Sequence, residues 1–314
     1  MEKKEKIRRI VFWTSICVTV VMLIIVAIEV GRSIKAENDF DDLRDLVNAT
    51  TTSSTEPTCE PATATTTTEP VTETTSGEQT DASTTEAVTT TTVEETTTER
   101  PILEKYKALH ELNNHMVGWI KIENSPIDYP VLEVEGDNDY YLHKDFYGEY
   151  SKPGQIIFDY RCDAAGPSTN IILHGHQMGD NTMFGSLVHY KKKYWFNSHP
   201  RIQFDTIYEE GEYEVFAAFL SKVYNTNDDV FKYYNFINAD TEEEFNYYIE
   251  NVKAMALYDT GITPVFGDEL LALSTCEYSQ ENGRLVVVAR KIKPAEPETV
   301  ENETVTETQA INTK

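Results

Sequence analysis

The chain has 314 residues, with 53 Asp and Glu against 27 Lys and Arg, and a formal net charge of −26. No basic stripe runs along it, so nucleic acid is excluded as a partner, and the acidity reads as surface solubility. Four cysteines with no CxxC or paired spacing support neither a zinc site nor a disulfide scaffold. There is no Gly-rich phosphate loop and no metal-spaced cluster, so no cofactor is expected.

Lys3, Lys4, Lys6, Arg8 and Arg9 precede an uncharged run from Ile10 to Ile28. That run has the length needed to cross a hydrocarbon core as a helix. Its far side carries Glu29, Arg32, Lys35, Glu37, Asp39 and Asp41, while basic residues crowd its front. The positive-inside bias then keeps the N-terminus in the cytoplasm and exports the rest. No small-x-small cleavage site follows, so residues 1–31 are expected to be a basic tip and an uncleaved single-pass membrane anchor.

Residues 32–100 are expected to form a disordered linker, with a short juxtamembrane helix at 41–47. From Asn48 to Arg100 the chain is mostly Thr, Glu, Pro and Ser, and no aromatic residue occurs between Phe40 and Tyr106. Such a composition buries too little apolar surface to offset its ordering entropy. Outside a cell it can also carry O-linked sugar. Residues 101–294 have the aliphatic and aromatic content of one good-sized globular domain. Residues 295–314 return to Glu and Thr and are expected to be a disordered acidic tail.

Within the domain, Ile102, Tyr106, Leu109 and Leu112 fall at helical spacing and predict a helix over 102–113. Short strand-like runs follow, separated by turn residues, at 117–122, 127–132, 155–158 and 170–173. Thr182 to Tyr190 fits a helix. Strands are expected again at 201–204 and 212–220. Asp240 or Thr241 caps a helix that opens with Glu242, Glu243 and Glu244, acids suited to the positive end of its dipole. The last strands, 269–275 and 284–292, are joined by a loop holding Asn282 and Gly283. Many short strands with few helices predict a mainly β fold, a closed or partly closed barrel with helical insertions.

Three residues with useful chemistry sit at strand ends. Cys276 ends Leu271-Ala272-Leu273-Ser274-Thr275, Arg284 opens Leu285-Val286-Val287-Val288, and Ile171-Ile172-Leu173 delivers His174-Gly175-His176. A thiol attacks a carbonyl as thiolate and needs a basic or cationic neighbour, which His176 can be. His176 can also protonate a leaving amine, and Arg284 can hold an oxyanion with permanently charged donors. The step from Cys276 to Arg284 fits one hairpin loop, which puts both at the same sheet end. Taken singly, a strand-end Cys is more often a small buried hydrophobe, and a loop His or strand-start Arg is more often solvated surface. A Cys162–Cys276 disulfide remains open at this stage, and it would silence the nucleophile.

These segments carry a resemblance. Gly175-His176 followed by Met183-Phe184-Gly185-Ser186-Leu187 resembles the histidine motif of class B sortases. Leu273-Ser274-Thr275-Cys276 followed by Gly283-Arg284-Leu285-Val286-Val287-Val288-Ala289 resembles their nucleophile and arginine motif. Val117-Gly118-Trp119-Ile120, Ile127-Asp128-Tyr129-Pro130-Val131, Asp137-Asn138-Asp139-Tyr140-Tyr141-Leu142 and Gly154-Gln155-Ile156-Ile157-Phe158-Asp159-Tyr160 match in the family's order. The match covers about 103–293, and an anchor plus linker is the family's usual layout.

The resemblance implies an eight-stranded sortase-type β-barrel with helical insertions, preceded by an N-terminal helix. It implies a cysteine transpeptidase on a Gram-positive surface, with Cys276, His176 and Arg284 catalytic and no cofactor or metal. Partners would be secreted proteins bearing a C-terminal sorting signal, cleaved at a Thr carbonyl, and a peptidoglycan amine acceptor. Matching positions make Asn138, Leu142, Ser274 and Glu277 candidate substrate-binding residues, with core packing an equal claim on Leu142. The helix over 240–253 would belong to an insertion that shapes the groove. Departures from the pattern are Ala272 for Thr, His174 for Tyr, and Tyr278 where some members carry Asp. His174 is then either a groove-wall residue or a second titrating group. A pilin-polymerising sortase, a cysteine protease using water as acceptor, and a non-catalytic wall-binding module are the competing readings.

Overall fold

The computed structural model describes residues 2–53, 100–166 and 168–293. Eight strands form a closed barrel: β1 (Met116–Lys121), β2 (Asp128–Leu132), β3 (Ile156–Phe158), β4 (Asn170–His174), β5 (Arg201–Thr206), β6 (Glu212–Lys222), β7 (Leu270–Cys276) and β8 (Gly283–Lys291). Their order around the barrel is β1-β2-β3-β4-β7-β8-β6-β5, and β1 closes onto β5. The β2/β3 and β4/β7 pairs are parallel and the rest antiparallel. Parallel neighbours need long crossovers. The crossover from β4 to β7 takes in β5, β6 and a long excursion between β6 and β7 that carries a 3₁₀ turn at Tyr233–Asn235 and a helix.

The strands form where β-branched and aliphatic residues cluster between turn residues. Ile172, Leu173, Leu271, Ala272, Leu273, Val286, Val287 and Val288 are all buried, and β7 and β8 are closed to solvent along almost their whole length. Aromatic side chains fill the rest, among them Phe158, Phe204, Phe216 and Phe219. Each such side chain stabilises the fold by about 1.5–3 kcal/mol on burial.

The described residues form four α-helices: α1 (Glu2–Ser53), α2 (Glu104–Leu112), α3 (Lys193–Ser198) and α4 (Glu242–Met255). α2 is pinned by a buried carboxylate. Asp205 on β5 accepts from Lys105 Nζ at 2.8 Å, Tyr106 Oη at 2.7 Å and the Gly211 amide at 3.1 Å. A buried charge is tolerable when its lone pairs are satisfied in this way. α4 begins with a capping box: Thr241 Oγ1 accepts from Glu244 N at 3.3 Å, and the Glu244 carboxylate accepts from Thr241 N. Of the two cap candidates, Thr241 holds the position.

The helix expected over 182–190 starts later, as a 3₁₀ helix over Gly185–Lys191. Asn181 and Met183 have positive φ, and Asp180 Oδ1 accepts from Thr182 N and Oγ1, so the chain turns there instead of coiling. The short α3 was not anticipated.

α1 runs on past residue 32 through the first 22 residues of the expected linker, taking in the helix expected at 41–47, and Phe40 and Leu43 are buried against the domain. The Phe40 ring meets Tyr129 edge-on at 4.9 Å, and Arg44 Nε donates to Asp128 O at 3.0 Å. By contrast, apolar residues of the preceding stretch such as Leu23 (63 % exposed) face outward. α1 is the one helix among the described residues long and apolar enough to cross a membrane. The rest of the expected linker, 54–99, and the expected tail, 295–314, lie outside the described residues.

Candidate active site

Cys276 and Arg284 are directly paired across β7 and β8, with a short loop between them. On the other side of β7, His174 pairs with Ser274, and the loop after β4 carries His176 up to the level of Cys276. Two bonds tie that loop to the nucleophile strand. Gly175 N donates to Ser274 O at 3.2 Å, and Thr275 Oγ1 donates to Gly175 O at 2.8 Å. Gly175 is packed so tightly that a Cβ there would meet Ile156 and Phe184 at 2.7 Å. His176, Cys276 and Arg284 thus line one cavity of about 380 Å³ at the barrel rim. A larger cavity, about 510 Å³ between α1 and the barrel, contains none of the three.

The His176 ring is oriented from both sides. Its Nε2 lies 2.9 Å from the carbonyl oxygen of Leu142, and it stacks on His143 with centroids 5.2 Å apart. A carbonyl only accepts, so Nε2 carries a proton and Nδ1 keeps its lone pair for the cavity. Burial pushes the imidazole pKa below its ordinary value, the Leu142 carbonyl opposes this, and His143 adds to it. Protonated His176 is therefore a strengthened acid. Arg284 Nη1 donates to Gly283 O at 3.0 Å, which holds the guanidinium at the start of β8, opposite the thiol.

Cys276 is a free thiol of intermediate exposure, and Cys162 is free and buried. The disulfide between them does not form. Cys162 Sγ instead sits 3.4 Å from Asn170 O, and burial pushes its thiol up to about 12. Of the two, Cys276 is the one that can act as nucleophile.

Of the expected substrate-binding residues, Asn138, Leu142 and Ser274 line the cavity. The Ser274 hydroxyl is bonded to Tyr233 Oη at 2.7 Å, and Asn138 Oδ1 accepts from Tyr160 N at 3.1 Å. Leu142 does more through its main chain than its side chain, since its carbonyl holds His176. Glu277 is not among the residues that line the cavity: it is buried, ion-paired with Lys191 and bonded to Ser279. Those partners hold its carboxyl down at about 2, so it braces the β7–β8 loop. Tyr278 is 75 % exposed and offers no acidic helper.

His174 is a groove-wall residue fixed from behind. Its Nε2 lies 3.1 Å from Asp159 Oδ2, and Arg161 grips the same carboxylate through Nε at 2.8 Å and Nη2 at 2.6 Å. Burial alone would raise the Asp159 pKa, but the Arg161 and His174 bonds override it and hold the group well below the usual carboxylate range. Sequence reasoning had Asp159 within a matching segment but not its partners. Tyr233 and Tyr234 were missed altogether, because they arrive on a 3₁₀ turn from the β6–β7 excursion. That turn, rather than α4, is the part of the excursion that lines the cavity. The Tyr233 hydroxyl is buried and its pKa is pushed up to about 12, so it is a neutral hydrogen-bonding wall.

The comparisons with known proteins agree with this geometry. The Sortase domain family matches residues 120–292, more than half the chain. Sortase B of Staphylococcus aureus is 34 % identical over 193 residues, covering 60 % of this chain and 75 % of that protein. Sortase B of Listeria monocytogenes is 33 % identical over 193 residues, 61 % of this chain and 75 % of that one. A solved S. aureus sortase B–substrate complex is 32 % identical, with a TM-score of 0.55 over 61 % of this chain and 86 % of that chain. Strands β2 to β8, the end of β1, the free thiol at a strand end and the two cavity partners fall within the family match. The chain belongs to the sortase family, in its class B.

Proposed function

We propose that this protein is a membrane-anchored transpeptidase that cleaves a C-terminal sorting signal at a Thr carbonyl and passes the acyl group to a cell-wall amine. Family membership carries the coarse activity, cysteine-dependent transfer of proteins bearing sorting signals. The observation that carries the finer reading is the convergence of Cys276, Arg284 and His176 on one cavity from three separate segments.

In this reading the Cys276 sulfur attacks the Thr carbonyl and Arg284 stabilises the oxyanion. The C–N bond then breaks as His176 delivers a proton to the leaving amine. The thioester is resolved by the amino group of a peptidoglycan cross-bridge. The exposed apolar stretch of α1, flanked by Arg8 and Arg9, supports a single-pass anchor with the N-terminus in the cytoplasm and the catalytic domain outside.

The test is incubation of the full chain with a peptide library and an amine, with products read by mass. Cleavage after Thr with an amide product supports transpeptidation. Cleavage unaffected by amine makes the protein a protease. Normal cleavage by Cys276→Ala protein ends the reading.

A further inference from the structure

The rim of the cavity holds a fourth side chain in line with the three already described. β3 runs antiparallel to β4, with Ile157 paired to His174, while His174 pairs with Ser274 on β7. Two residues toward the rim come Gln155, just before β3, His176, just past β4, and Cys276, the last residue of β7, and all three line the cavity. Cys276 in turn faces Arg284. The order across the four adjacent strands is therefore Gln155, His176, Cys276, Arg284. One loop holds the first two together: Gln155 N donates to Tyr141 O at 3.1 Å, and the next carbonyl, that of Leu142, accepts from His176.

Gln155 is 2 % exposed, lines the cavity, and its Oε1 is buried without a hydrogen-bond partner. A buried acceptor left unpaired is costly and uncommon. The terminal torsion of glutamine is soft, so the carboxamide can turn to meet a ligand. The unmet capacity is for an N–H or O–H donor.

We propose that Gln155 is the residue that binds the incoming amine. This rests on the acyl-transfer reading above. Arg284 occupies one side of Cys276, where the oxyanion forms. The amine has to enter on the other side, because His176 must exchange a proton with it. A neutral primary amine has two N–H bonds and one lone pair. Gln155 Oε1 accepts one N–H, and the lone pair attacks the thioester carbonyl. The second N–H proton passes to His176 Nδ1, the C–S bond breaks, and His176 returns the proton to the Cys276 thiolate. Thioester and amine become amide and thiol, with nothing left over. Water can also donate to Oε1, but only the amine brings a chain that the cavity can hold, so the carboxamide orients a bound amine more firmly than a water and favours aminolysis over hydrolysis.

The test compares full-chain wild type, Gln155→Met and Gln155→Glu in detergent. Each is given a peptide selected for cleavage after Thr, with triglycine or a diaminopimelate-containing peptide as acceptor. In Gln155→Met the ratio of amide to hydrolysed product falls about tenfold and the amine KM rises, with a smaller change in the peptide KM. Gln155→Glu keeps an acceptor oxygen and holds the ratio closer to wild type. An unchanged ratio in Gln155→Met overturns the proposal, as does a rise in peptide KM alone, which would assign Gln155 to the sorting signal. Equal loss of both products with a lowered Tm in both variants overturns it too, by making Gln155 structural. If wild type forms no amide with either acceptor, the transpeptidase reading itself falls; if wild type does and Gln155→Met matches it, the role of Gln155 alone falls.

Discussion

Cys276 and Arg284 face each other across the last hairpin of the barrel as paired residues of β7 and β8. Their separation is set by the ladder itself, which leaves the guanidinium little freedom except along its own stem. Arg284 should therefore be sensitive to head-group shape as well as charge. Arg284→Lys keeps the charge but loses the planar fork. The expected result is a fall in kcat of roughly 10²-fold, the scale of losing an oxyanion donor, with the fold unchanged. Steady-state kinetics and thermal unfolding together check this; wild-type kcat in the Lys variant would remove Arg284 from the reaction.

Gly154 controls the carbonyl that orients His176. Its φ is +62°, and a Cβ there would stand 2.3 Å from Leu142 O. Gly154→Ala is expected to displace that carbonyl and lower kcat while changing KM less. NMR of the His176 ring should show the lost hydrogen bond. A variant with normal kcat and an unmoved ring signal would contradict the arrangement.

His176 should titrate below the ordinary imidazole range, mainly because it is buried and also because of His143. Removing that neighbour with His143→Ala raises the His176 pKa, readable by NMR titration. The sign for stability follows from the depressed folded value. The folded state binds this proton less readily than the unfolded chain. The contribution is present above the unfolded pKa of about 6.5 and is lost as pH falls through the folded value. A His176 midpoint at or above 6.5 in the wild type would count against the buried ring.

Asp205 joins α2 to β5 through Lys105 and Tyr106. Asp205→Ala leaves the buried Tyr106 phenol and the Gly211 amide without an acceptor, while Lys105 keeps Glu210 as its partner. It should cost about 3 kcal/mol, with a Tm drop on the order of 10 °C. Calorimetry on the intact chain measures it. A Tm within a degree or two of wild type would mean the cluster relaxes onto water at little cost.

Much of the barrel was legible because its strands are short, apolar and bounded by turn residues. The run from Leu271 to Cys276 and the run from Arg284 to Ala289 could hardly form anything else, and the loop between them brings a thiol and a guanidinium together. The thiol, imidazole and guanidinium could be named for the same reason: each ends or begins a run that must be buried. The setting of Glu277 was not legible, because a sequence position beside Cys276 does not tell which way the chain turns after the strand. Its carboxylate pairs with Lys191, 86 residues away.

The composition of the chain by itself determined that the N-terminal run is apolar and basic-flanked, that one domain follows, and that alternating short strands close into a sheet. These are local properties, written in which residues can be buried and which cannot. Only the tertiary structure decided that α1 continues past residue 32, because the burial of Phe40 and Leu43 depends on surfaces supplied by distant strands. The same holds for the Leu142 carbonyl that fixes the His176 tautomer, the Asp159 carboxylate behind His174, and the unpaired Gln155 oxygen. Hydrogen bonds between segments far apart in the chain leave no periodic trace in sequence, so they become visible once the barrel has brought their partners together.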